Sequence, residues 1–211
     1  MPLKKEPGFS GEMKLLESLP ITIVDHRGDL IIATCEKPNS EGMRFRVCSN
    51  TVFRASPTLE RLTRDSTVCF GGQQVLSLRD ANTTALHTLL NIIHGHFAQV
   101  FPRFSDKRLL YDVLVLTHQF DMTHCLAPVA EKWFHKSYGS LNEFCTFEAF
   151  DVHLWISHEL GHVTSTRAVL NTLLGNAAYN SDGQLVWPPS NNPNVEYRKM
   201  RAFETLGLIG N

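Results

Sequence analysis

The chain has 211 residues, 43% hydrophobic and 19% charged, with a formal net charge of −1. This length holds one large domain or two small ones, and it buries enough surface to need no disulfide or metal for a core. Nucleic-acid binding depends on Lys and Arg displacing counterions from phosphates, and a near-neutral chain with no Lys/Arg run argues against it.

The five cysteines, Cys35, Cys48, Cys69, Cys125 and Cys145, are odd in number and include no C-x-x-C pair. Cys35, Cys48 and Cys69 sit among apolar residues and read as small buried hydrophobes, the pattern of a reducing compartment. Lys4 and Lys5 are followed by no apolar stretch, so no signal peptide is expected. No segment approaches the ~20 apolar residues of a membrane span. The expectation is a soluble cytoplasmic or nuclear protein.

Residues 1–20 read as a flexible N-terminal segment, with Met13, Leu15, Leu16 and Leu19 forming a short helix or docking stretch before Pro20. Ile21–Val24 is a candidate strand, and Asp25-His-Arg-Gly-Asp29 a turn. Leu30–Cys35 is a β-rich apolar run, read as a buried strand. Met43–Cys48 alternates apolar with basic residues, the period of a half-exposed strand, and should pair with it as a hairpin.

Ser56-Pro57 signals a helix start, with a capping hydroxyl followed by Pro in the first turn. Val75, Leu76 and Leu78 predict a third strand. Leu86, Leu89, Leu90 and Ile93 then fall at helical spacing, ended by Gly95. Leu109, Val113, Leu116 and Phe120 line the next helix. Thr123 is the expected cap of a third, carrying Leu126, Val129, Ala130, Trp133 and Phe134. Asp80, Asp106 and Asp121 stand at helix boundaries, where carboxylates cap backbone N–H groups. A second helical block follows: Phe147–Leu160, Ser165–Tyr179 and Glu196–Leu206. The Asn- and Pro-rich stretch Asn180–Asn194 reads as a long loop.

These segments carry a resemblance. Gly28-Asp-Leu-Ile-Ile32, Phe45 through Pro57, Leu78-Arg-Asp80, Leu89 through Gly95, and Leu114 through Asp121 with Cys125-Leu126 and Trp133 together resemble a BTB/POZ domain in order and spacing. The variant is similar to fungal BTB-domain proteins of unassigned role. Many animal members carry a histidine where Cys48-Ser49 stands and a phenylalanine in place of Leu59. The resemblance covers residues 25–136. It implies an α+β fold, a small three-stranded sheet flanked by helices, over 21–138, with a C-terminal helical extension over 139–211.

The implied function is a non-enzymatic protein–protein interaction module. Homodimerisation is one known use of the family, and service as a ubiquitin-ligase adaptor on a cullin scaffold is another. The segment before the first shared strand and the first helix build the dimer interface in such proteins. Those positions are Leu15, Leu16, Leu19, Ile21, Ile23, Val52 and Phe53. The competing reading is that these side chains fill the monomer's own core. No cofactor or metal is expected.

One motif offers a different class. His158-Glu-Leu-Gly-His162 fits H-E-x-x-H, in which two imidazoles one turn apart on a helix bind zinc and the Glu activates water. The alternative function is therefore a zinc-dependent hydrolase using His158, Glu159 and His162. The extended motif would need Gly at 165 and His at 168, where Ser165 and Ala168 stand, and no Glu occurs downstream before Glu196. Gly161 and the capping residues Thr164-Ser165 also predict a break in the helix. His118, His124, Cys125 and His135 are close in sequence but fall on different faces.

Overall fold

The structure, a computed structural model, describes residues 16, 18–34, 42–66, 68–70, 73–78, 80–103, 105–137, 147–179, 185–187 and 195–196. The chain is mixed α+β and divides into two compact units. One comprises residues 1–102 and 115–126, the other 103–114 and 127–211. Residues 103–114 thus group with the stretch from 127 onward.

In the first unit, β1 (Ile21–Ile23), β2 (Leu30–Thr34), β3 (Met43–Val47), β4 (Val68–Phe70) and β5 (Gln73–Leu78) form one sheet in the order β1-β3-β2-β5-β4. Three of these strands match the expected hairpin and its neighbour. The sheet is larger than the three strands expected, since Ile21–Ile23 pairs parallel with β3 and Val68–Phe70 antiparallel with β5. All five β2 residues are buried, as a continuous apolar run predicts for a central strand. In β3 only Phe45 and Val47 are buried, while Met43, Arg44 and Arg46 are half-exposed. Before β2 the chain turns on Gly28, where a Cβ would lie 2.7 Å from the Val47 carbonyl oxygen. Glycine is required there by lack of space.

Helix α1 (Ser49–Ala55) has no side-chain cap from Cys48. Asp29 supplies it from across the hairpin: its carboxylate accepts the Ser49 N–H at 2.8 Å and the Ser49 hydroxyl at 2.7 Å. Burial alone would raise the Asp29 carboxyl, but these two bonds hold it below its ordinary value. Helix α2 (Pro57–Ser66) begins as expected. The fully buried Ser56 Oγ accepts the Leu59 N–H at 2.9 Å and donates to the Phe120 carbonyl at 2.6 Å. One hydroxyl thus caps a helix and fixes a distant chain reversal. Ser56→Ala removes both bonds and leaves a buried carbonyl with one partner fewer. We expect a loss of about 2 kcal/mol, a drop of roughly 4–8 °C in Tm by thermal melt.

Helix α3 (Thr83–Ile93) is capped by Asn82, whose Oδ1 accepts the Ala85 N–H at 2.9 Å. The capping expected near Asp80 therefore falls two residues later. The short α4 (Phe97–Val100) follows, then α5 (Lys107–Gln119), capped by Asp106 through the Leu109 N–H at 3.0 Å. Asp121 is not an N-cap. It holds φ +59° at the end of α5, and the Met122 N–H reaches back to the Thr117 carbonyl at 2.7 Å. The same reversal closes α3 at Gly95 (φ +76°) and the helix before Gly161 (φ +69°), with His96 and His162 donating to the carbonyls of Asn91 and Ser157.

In the second unit lie α6 (Ala130–Ser137), α7 (Phe147–Glu159) and α8 (Val163–Gly175). Thr123 does not cap α6. It opens a 3₁₀ turn over Thr123–Leu126, and the helix starts after Pro128, which has no N–H to join an earlier one. Trp133, Leu154, Trp155 and Leu173 are buried there. The stretch read as a loop contains β7 (Leu185–Trp187), paired antiparallel with β6 (Ala178–Tyr179) and β8 (Val195–Glu196). Glu196 is therefore in a strand rather than at a helix start, and the rest of the helix expected to Leu206 lies outside the described residues. Among the described residues no helix is long and apolar enough to cross a membrane.

Candidate interaction surfaces

Strand β1 stands at one end of the strand order, with its parallel register set by Ile21 opposite Arg44 and Ile23 opposite Arg46. Arginine side chains hold the chain leading into and out of it. Arg44 donates from Nε to the Leu19 carbonyl at 3.0 Å, and Arg46 donates from Nη2 to the His26 carbonyl at 2.5 Å. The strand so fixed presents Ile21 at 47% and Ile23 at 45% exposure. Large apolar side chains this open on an edge strand are ready to meet another surface.

The other expected interface positions separate. Leu16, Leu19 and Phe53 are half-buried. Val52, at 0% exposure, belongs to the unit's own core, so at this position the core-filling reading holds. Leu15 lies outside the described residues. A period-2 strand reading could have separated Ile21 and Ile23 from Val24, which is buried, but no sequence pattern shows that the strand lies at an edge.

The H-E-x-x-H segment does not form one continuous helix. Helix α7 ends at Glu159, Gly161 turns left-handed, and His162 occupies the residue before α8. The two imidazoles therefore do not share the helical face on which this motif binds zinc. His158 instead sits 3.6 Å from the Glu159 carboxylate. His162 stacks on Phe134, ring centroids 4.1 Å apart, with His135 edge-on at 6.3 Å. His153 also faces Phe134 at 6.3 Å and is 2% exposed. Burial first, then the nearby Lys107 and His162 charges, push the His153 imidazole down to about 4. No sequence spacing shows this aromatic–histidine cluster, because its members come from two helices and the turn before a third.

The other sequence-adjacent His and Cys side chains have local roles. Cys125 Sγ contacts the Ala55 carbonyl at 3.8 Å and the His124 ring at 3.3 Å, and burial raises its thiol above the ordinary value. His135 faces Glu131 one turn earlier at 3.9 Å. Among the described residues no group of three or more His, Cys, Asp or Glu is arranged to hold a metal ion.

Each unit carries a depression lined by described residues. In the second unit a shallow apolar groove of about 530 Å³ runs along α8, with Val163 and Leu174 exposed beside it. In the first unit a polar cleft of about 650 Å³ lies among the turn after β1, helix α1 and the end of α3. There His94 accepts the Cys48 N–H at Nε2 (3.3 Å) and contacts the Leu90 carbonyl at Nδ1 (2.8 Å), which sets the neutral tautomer with the proton on Nδ1. Burial is the main reason its imidazole titrates below the ordinary value.

No family model matches the chain, and a search of the curated proteins finds no match.

Proposed function

We propose that the chain is a non-enzymatic protein–protein interaction module of BTB/POZ type that self-associates through the edge of its larger sheet. The observation that carries this reading is the pair Ile21 and Ile23, both nearly half exposed on edge strand β1. The element order supports it as well: a hairpin, a helix pair, a strand parallel to the first of the hairpin, then helices. Its mechanism is burial of apolar side chains against a second copy, with no bond made or broken. Full burial of an isoleucine side chain contributes roughly 1.5–3 kcal/mol. Two per protomer, counted on both sides, supply a useful part of a dimer interface.

The test is light scattering on the full chain at tens of micromolar. The wild type is expected to run at twice the monomer mass. The double variant Ile21→Asp, Ile23→Asp is expected to run as a monomer with an unchanged circular-dichroism spectrum, since neither side chain belongs to the core. A wild type that is monomeric throughout that range would remove the reading.

A further inference from the structure

The cleft in the first unit is built from three stretches that meet only in the fold. The turn after β1 brings Asp25, His26 and Arg27; helix α1 brings Arg54; the reversal at the end of α3 brings His94 and His96. Its hydrogen-bond accounting is one-sided. The turn carbonyls of Asp25 and His26 already accept from Arg46, and the Asp25 carboxylate folds back to accept the Arg27 N–H at 2.8 Å. Both ring nitrogens of His94 are engaged. Polar groups are left over: among the described residues neither the Arg27 nor the Arg54 guanidinium has a carboxylate partner, and the buried Nδ1 of His96 has no hydrogen bond.

Two guanidinium charges therefore face a single carboxylate that is tied into its own turn, beside a buried ring nitrogen with nothing to bond. We propose that this cleft is a binding site for a phosphate-bearing ligand. A phosphomonoester carries about −1.5 to −2 charge at pH 7 and three strong acceptor oxygens, enough to match both guanidinium forks. A carboxylate offers one charge and two oxygens, and would leave one cation unmatched. The ligand group can come from a small phosphorylated molecule or from a phosphorylated side chain of a protein, and the same chemistry recognises both.

Phosphate titration of the full chain, followed by NMR of the His96 ring and the Gly95 amide at constant ionic strength, tests this. Inorganic phosphate is expected to give saturable shifts below about 20 mM. Arg27→Gln with Arg54→Gln is expected to weaken binding about tenfold or more while leaving the thermal midpoint unchanged, because both side chains are exposed. A phosphoserine peptide that binds at least about tenfold tighter than inorganic phosphate identifies a protein source, and equal binding identifies a free phosphorylated molecule. No saturable shift, binding that survives the double substitution, or a glutamate peptide that binds as well as the phosphoserine peptide each overturns the assignment. Ile23 lines this cleft as well as the proposed dimer edge, so light scattering on the Arg27→Gln, Arg54→Gln variant reads self-association separately from phosphate binding.

Discussion

Phe45→Ala is expected to cost roughly 3–5 kcal/mol, measured as a fall in the urea midpoint with an unchanged slope. Phe45 is fully buried on β3, between Ile32 of β2 and Thr22 of β1 in the sheet register, and its ring stacks on His87 of α3 at 5.4 Å. Truncation removes the ring's apolar area and leaves a cavity between strand and helix that neither can close without breaking register. Phe45→Leu keeps most of the volume and should cost about 1–1.5 kcal/mol. The contrast within the same sheet is Ile21→Ala, on an exposed edge position, expected to change the monomer's stability by less than about 0.5 kcal/mol. If Phe45→Ala and Ile21→Ala had similar effects, the assignment of the two faces would be wrong.

Acid is expected to weaken the protein through His153. The imidazole sits at about 4 in the folded chain against an ordinary 6.5, held there first by burial and then by the charges of Lys107 and His162. Between those values the unfolded chain binds the proton and the folded chain does not, so stability falls as pH falls. The contribution is present in full above about pH 6.5, is lost progressively toward pH 4, and amounts to roughly 3 kcal/mol over that span. Denaturation followed from pH 8 to pH 4 should show this loss in the wild type and a flatter acid limb in His153→Gln. Some slope remains in the variant, because His94 also titrates below its ordinary value. An NMR titration placing the His153 ring near 6.5 would contradict the burial argument directly.

The proposed dimer surface and the phosphate cleft differ in how far sequence could reach them. Ile21 and Ile23 were candidate interface residues from the resemblance, and they are exposed. Val52 belonged to the same candidate set and is core. Nothing in the order of residues separates them, because α1 turns Val52 inward only once it packs in the sheet unit. The cleft was invisible for a stronger reason: Arg27, Arg54 and His96 are about 27 and 42 positions apart in the chain, and a cleft made by a turn, a helix and a helix end has no spacing rule.

Local chemistry did determine much of the framework. The apolar run at Leu30–Ala33 predicts a central strand covered on both faces, and the alternation at Met43–Val47 a half-exposed one, from the two-residue period of the pleat. Ser56-Pro57 opens a helix because a hydroxyl and a missing N–H suit its first turn. Gly161 ends one because only glycine enters the left-handed region freely. That single residue also decided the H-E-x-x-H motif, since imidazoles on opposite sides of a helix end cannot stack along one face. Tertiary structure alone decided where pairing was non-local: β1 against β3, β4 against β5, and a strand at Leu185–Trp187 within an Asn- and Pro-rich stretch. Strands of two or three residues carry too few side chains to show a period, and their stability comes from the partner strand. The depressed His153 and the unmatched guanidinium pair belong with them, because a charge's surroundings are set by residues distant in the chain.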